Sequence, residues 1–207
     1  MKFKIIFMGN FVQKITSLVI ISCLLFINSS QAQTTFGFKG GVNFPSWKVS
    51  LNGIDINTSN STTYMIGGFL NYPLSDNVSI KPELLYQVMG SKYDTSSIVQ
   101  NYIAVPLLFK FDITDLLFFE AGPQFSILLG ASAKSDTTVK KSDFKSTDFQ
   151  FVFGGGIKLT QNVHAGFRYG YGLSNILSSN NTSLFQGEGM NATLKNNSLS
   201  VFLSYAF

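Results

Sequence analysis

Val163-His164-Ala165-Gly166-Phe167-Arg168-Tyr169-Gly170-Tyr171-Gly172 decides how the rest of this chain is read. Val163, Ala165, Phe167, Tyr169 and Tyr171 occupy every second position. Between them stand His164, Gly166, Arg168, Gly170 and Gly172. A repeat of two places all the apolar side chains on one face of a strand and the small or polar ones on the other.

The same pattern extends in both directions. Downstream, Leu199, Val201, Leu203, Tyr205 and Phe207 alternate with Ser198, Ser200 and Ser204. Upstream there are six further sets: Phe36, Phe38, Val42 and Phe44; Tyr64, Ile66, Leu70 and Tyr72; Val78, Ile80, Leu84, Tyr86 and Val88; Ile103 to Phe111; Phe119 to Leu129; and Phe149 to Leu159. That makes eight strands. Short turns join strands two to three, four to five and six to seven (Ser75 to Asn77, Asp112 to Asp115, Thr160 to Asn162). Longer polar connections lie near 48–61, 91–98, 132–147 and 174–195. Strict alternation of short and long connections is the pattern of outer-membrane barrels, with the short turns periplasmic and the long loops extracellular. The expected fold is all-β: an eight-stranded antiparallel up-and-down transmembrane β-barrel with both termini in the periplasm.

The N-terminus reads as a processing signal. Lys2, Lys4 and Lys14 precede an apolar run from Ile15 to Ile27, too short for a spanning helix of about 20 residues, and Ser30-Gln31-Ala32 places small residues at a cleavage site. Residues 1–32 are therefore expected to be a cleaved signal peptide and residues 33–207 the barrel domain. A lipoprotein site at Cys23 is the alternative; it would leave Leu24 to Ile27 as an apolar mature N-terminus. Of the 15 basic and 11 acidic residues, three lysines leave with the signal, so the mature chain carries 12 against 11. The basic balance of the whole chain thus gives no support to nucleic-acid binding. With Cys23 removed, disulfides, thiol catalysis and cysteine-ligated metals are excluded.

A soluble β-sandwich would alternate too. Aromatic residues, 14% of the chain, favour the barrel because many fall near strand ends, where girdles form (Trp47, Tyr64, Tyr72, Phe111, Tyr169, Tyr171). The opposite faces are rich in glycine (Gly37, Gly41, Gly67, Gly122, Gly154, Gly156), as a narrow, crowded interior requires. Tyr205 and Phe207 end the last strand on aromatic residues and are the expected C-terminal signal for the barrel-assembly machinery.

Several segments resemble the PorT-like outer-membrane β-barrel family common in Bacteroidetes: Gly37 to Asn43 (GFKGGVN), Lys81 to Leu84 (KPEL), Tyr102 to Leu108, Glu120 to Pro123 (EAGP) and Tyr169 to Ile176 (YGYGLSNI). The resemblance covers essentially the whole mature chain. It implies a barrel in the outer membrane of a Gram-negative bacterium and, more remotely, a link to protein secretion.

Chemistry, if any, must come from the inward face. Lys39, Lys81, Lys110, Lys158 and Arg168 point there with Glu83 and Glu120, and an eight-stranded barrel is just wide enough for side chains to fill. Buried charges need partners, so the two glutamates should be bridged by some of these cations, with Gln87, Gln124 and serines completing the network. Such a network is a structural plug or, alternatively, the selectivity element of a narrow pore favouring anions. His164, the sole histidine, falls next to a periplasmic turn, away from outer-leaflet lipid, and no catalytic motif accompanies it; a lipid-modifying enzyme is the least favoured reading. One histidine without cysteine cannot supply a zinc set, and no cofactor is implied. Gly154-Gly155-Gly156 reads as packing positions and not as a phosphate loop. The mixed-sign stretch Lys134 to Asp148 reads as a solvated loop. The expected role is that of a non-enzymatic barrel in envelope structure or protein interaction, in contact with outer-membrane lipid and reaching envelope partners through its extracellular loops.

Overall fold

Each alternating segment folds as a strand, in a computed structural model that describes residues 34–51, 54–57, 61–93, 96–134, 141–178 and 192–207. The expected signal peptide and Cys23 lie outside the described residues. In chain order the strands are β1 (Thr35–Leu51), β2 (Ile54–Asn57), β3 (Thr63–Ser75), β4 (Val78–Tyr93), β5 (Ser96–Asp112), β6 (Leu117–Lys134), β7 (Thr147–Lys158), β8 (Val163–Gly172) and β9 (Ala192–Ala206). All pairings are antiparallel between chain neighbours, apart from two involving β1. β1 pairs with β3 from Thr35↔Asn71 to Asn43↔Thr63, and with β9 from Gly37↔Ala206 to Leu51↔Ala192. That second pairing closes an eight-stranded up-and-down barrel and removes its edges, which an open sheet would leave unpaired. β2 pairs with the upper end of β1 (Lys48↔Asn57), beyond the point where the β1–β3 ladder stops.

Periodicity translates directly into burial. Phe36, Phe38, Tyr64, Ile66, Leu84, Phe151, Phe167, Val201, Leu203 and Phe207 are exposed on the outside of the barrel. Their alternating neighbours Gly37, Lys39, Met65, Glu83, Val152, Arg168, Ser200, Phe202 and Ser204 are buried within it. An outside this apolar and an inside this polar invert the arrangement of a water-soluble barrel.

Three tight turns define one end, and in two of them a threonine supplies the internal hydrogen bonds. Thr114 Oγ1 accepts from the backbone N–H of Leu116 and Leu117 at 3.2 and 2.9 Å. Thr160 Oγ1 does the same for Asn162 and Val163, at 3.2 and 2.9 Å. A threonine hydroxyl folded back on its own turn substitutes for the ladder bonds that end there. Asn162 Nδ2 also donates to the Ala206 carbonyl at 2.7 Å and fastens this turn to β9.

The opposite end departs from expectation at 91–98, assigned to a polar loop. β4 and β5 run on as a paired ladder there, through Ser91↔Ile98, Lys92↔Ser97 and Tyr93↔Ser96. Hydrophilic side chains suggested a loop, but ladder bonds satisfy the backbone whatever the side chains are. Gly90 stands at the start of this extension: its φ is 152°, a conformation that other residues rarely adopt, and a Cβ there would lie 2.1 Å from the Ile98 carbonyl oxygen. Strand structure likewise enters the expected loop 48–61, through β2.

Candidate functional site: the filled lumen

Five of the seven charged residues assigned to the lumen meet at one level. Arg168, from β8, grips Glu83 with two parallel bonds, Nη1 to Oε2 at 2.8 Å and Nη2 to Oε1 at 3.0 Å. Its Nε donates to Glu120 Oε1 at 3.2 Å, and Nη2 reaches the same oxygen. Lys39 Nζ, from β1, lies 2.6 Å from Glu83 Oε1 and 3.5 Å from Glu120 Oε1. Lys81 Nζ, from β4, lies 3.2 Å from Glu120 Oε2 and 3.6 Å from Glu83 Oε1. The side chains of Lys39, Glu83 and Glu120 are wholly inaccessible to solvent. Charges this deep persist only when paired and hydrogen-bonded on several sides, and the planar guanidinium fork is suited to holding two carboxylates together.

Aromatic rings complete the cage. Lys39 Nζ stands 4.0 Å from the centroid of the Phe202 ring, Arg168 lies 5.5 Å from the same ring, and Lys81 Nζ is 4.5 Å from that of Phe69. Glycines make room for these rings: a Cβ at Gly166 would fall 2.6 Å from Phe202, and one at Gly37 2.5 Å from Phe69.

Lys110 and Lys158 stand apart from this cluster. Nearer the turn end, their ammonium groups share Asp112 Oδ1 at 2.7 and 3.1 Å. Asp112, expected in a short turn, ends β5 and continues the inward parity of Lys110. His164 lies beside this group, its ring 5.9 Å from that of Phe118. Gln87 and Gln124 also stand apart, in a belt of their own: Gln124 Nε2 is 3.2 Å from both Gln87 Oε1 and Gln150 Oε1, and 3.4 Å from Ser126 Oγ.

Above the belt, Asp148 is buried and not part of a solvated loop. It accepts from Ser174 Oγ at 2.7 Å, Asn196 Nδ2 at 3.0 Å and Gln150 Nε2 at 3.1 Å. Parity with Gln150 and Val152 along β7 was the signal that would have placed it inside. Among the described residues, and counting Asp112 and Asp148, the five inward cations face four carboxylates, so the lumen is far less positive than the two glutamates alone would leave it.

The loop end of the lumen is closed by apolar packing. Trp47, Met89, Tyr102, Leu128 and Leu194 converge there and are covered by Phe144, Ile176 and Leu177 from the connections. Backbone bonds stitch the two covering segments to each other and to β9: Lys145 N to Ile176 O at 2.7 Å, Ser178 N to Asp143 O at 3.0 Å and Ile176 N to Leu194 O at 2.8 Å. Ile176 has no solvent exposure. Trp47, expected in an aromatic girdle, is buried in this cap instead, and the other members are apolar side chains at inward positions, which apolar–polar alternation does not single out.

Tyr205 and Phe207 sit on the outer surface at the turn end. The Phe207 ring stacks on Phe36 at 5.0 Å and meets Tyr205 edge-on at 5.0 Å, and its N–H donates to the Phe36 carbonyl at 2.8 Å. Among the described residues no group of three or more His, Cys, Asp or Glu side chains is placed to hold a metal ion.

Comparison with known proteins agrees with this architecture. A family model described as outer membrane protein beta-barrel domain matches residues 30–178. No curated protein matches the chain. Among solved structures, Ail, the attachment invasion locus protein of Yersinia pestis, superposes with a TM-score of 0.51 at 13% identity, over 85% of this chain and 100% of that one. Neisserial surface protein A follows at 0.48, with 14% identity and 82% and 97% coverage. OprG from Pseudomonas aeruginosa gives 0.45, with 12% identity and 84% and 95% coverage. At such identities the likeness to Ail speaks for the fold alone.

Proposed function

Because the chain belongs to the outer membrane protein beta-barrel domain family and resides in the Gram-negative outer membrane, we propose that it is a non-conducting, non-enzymatic barrel serving envelope structure and protein interaction through its extracellular face. The observation that carries this reading is the filled lumen. An ion cluster without solvent access at Lys39, Glu83 and Glu120, an amide belt and an apolar cap succeed one another along the axis. A conducting path would have to dismantle all three. The segments resembling the PorT-like family support a finer reading, attachment to a secretion assembly, in which the extracellular connections carry the partner contacts. Tyr205 and Phe207, aromatic and lipid-facing on the closing strand, are assigned to recognition by the assembly machinery. Residues 1–32 are assigned to a signal cleaved after Ala32, which N-terminal sequencing of the membrane-resident protein checks.

Single-channel recording tests the central claim. The protein is purified from outer membranes in detergent, its folding is verified by a heat-modifiable gel band, and it is inserted into a planar bilayer. A silent bilayer is the expected result. Reproducible current steps that change on Glu83→Ala would overturn the plugged reading in favour of an anion-favouring pore.

A further inference from the structure

Charge in the periplasmic half of the lumen does not balance. Lys39, Lys81, Lys110, Lys158 and Arg168 face inward there against Glu83, Glu120 and Asp112. Asp76 and Asp115, the other carboxylate side chains at this end among the described residues, are exposed in the turns. Two positive charges are therefore in excess, one in each cluster.

The two excesses are not equivalent. In the central cluster the surplus is spread over three cations that touch two carboxylates and two aromatic faces, and cation–π contact in a desolvated site offsets part of the missing anion. In the lower cluster, two ammonium groups share a single carboxylate oxygen. The Phe118 ring lies 5.3 Å from Lys110 Nζ, towards the limit for such a contact. Lys110 is nevertheless 6% exposed. A buried cation short of a counter-charge is costly.

One donor without an acceptor lies across the neighbouring strands, on the register row that runs from Lys158 through His164 to Ser204 and Lys39. Lys158 is the cross-strand neighbour of His164, and His164 that of Ser204. Ser204 is buried, and its hydroxyl has no hydrogen-bond partner among the described residues. The wall behind them is closely fitted: a Cβ at Gly156 would meet the Phe118 ring at 2.6 Å.

We propose that the periplasmic vestibule of the barrel binds one small inorganic anion of the halide class, held between Lys110 and Lys158 with His164 and the Ser204 hydroxyl completing its surroundings. The surplus charge supplies the attraction, the orphan hydroxyl supplies a directed donor, and the close-fitted glycine and aromatic wall favours a single-atom ion over a larger oxyanion. Lys158 and Asp112 retain about a quarter of their side-chain exposure, 23% and 24%, so the ion enters from the periplasm without crossing the plug.

Chloride NMR line widths test this. The protein, taken from outer membranes into non-ionic detergent and exchanged into chloride-free acetate buffer, is titrated with sodium chloride. Saturable excess broadening is expected, reduced severalfold in Lys110→Gln and in Ser204→Ala and abolished in the Lys110→Gln/Lys158→Gln double variant. Lys141→Gln, at an exposed position in a short 3-10 helix between β6 and β7, should leave it unchanged. Broadening that is absent, fails to saturate, or is equal in the wild type and the folded double variant overturns the proposal. Should the double variant fail the heat-modifiability check, Ser204→Ala decides: undiminished broadening in that folded variant overturns it too. The result is independent of conductance, because a plugged barrel and an open one can each hold or lack this ion.

Discussion

Arg168 meets both lumenal glutamates at once, whereas each lysine of the cluster contacts them with a single nitrogen. Removing the arginine leaves two buried carboxylates to two lysines and loses both bonds of the fork. Breaking a buried charge network in this way typically costs about 3–5 kcal/mol. Arg168→Met should lower the urea midpoint of the folded barrel, followed by fluorescence of Trp47, by that order of free energy. Lys81→Met should cost clearly less, because Arg168 and Lys39 still cover both carboxylates; equal losses would contradict the assigned roles. Which residues turn inward was legible from parity alone, as Lys39, Glu83, Glu120 and Arg168 illustrate. Which of them meet was not: reach across the lumen depends on the stagger of strands, which a single sequence does not display. Asp112 and Asp148 escaped notice because an aspartate beside a turn or loop reads as a loop residue, although each holds the phase of its strand.

Strands and turns differ in how openly the chain announces them. Eight alternating runs, separated by connections of alternating length, were sufficient for the number and order of barrel strands. Their upper ends were not, because above the apolar band β4 and β5 lose the apolar–polar contrast while keeping their ladder. Gly90 is the element-level test. Gly90→Ala forces a Cβ towards the Ile98 carbonyl oxygen in a conformation that disfavours it, at about 1–3 kcal/mol. The expected result is faster amide exchange at Ile98 and Val99, with exchange lower in the barrel unchanged. At the other end, Thr160→Ala leaves two turn N–H groups without their internal acceptor. The loss should be modest, about 1 kcal/mol, since water reaches this exposed turn, and a thermal scan of the purified variant would register it.

For the molecule as a whole, the two faces of one strand should be sensitive to different chemistry. Val201 faces outward near the middle of β9, between Val42 and Phe167. An arginine there would sit in lipid, at about 2–4 kcal/mol near the bilayer midplane. Ser200 faces inward and donates to Asn43 Oδ1 at 2.8 Å; Ser200→Ala should cost about 1 kcal/mol through that single bond. Equilibrium unfolding in bilayers of both variants checks the contrast, and a Val201→Arg barrel as stable as the wild type would place this face away from lipid. The joint between β1 and β9 also sets a timetable. Residues near opposite ends of the described chain, Phe36 and Phe207 among them, must find each other before the ring exists. Until they do, the two outermost strands are raw edges, and the cations and carboxylates of the interior lack the enclosure that makes their pairing favourable. Contacts so distant along the sequence are slow to form, so ring closure becomes the event on which the remainder of maturation waits. The same joint should govern escape from the membrane, because no strand can leave the ring before one seam of paired backbone has been torn along its length.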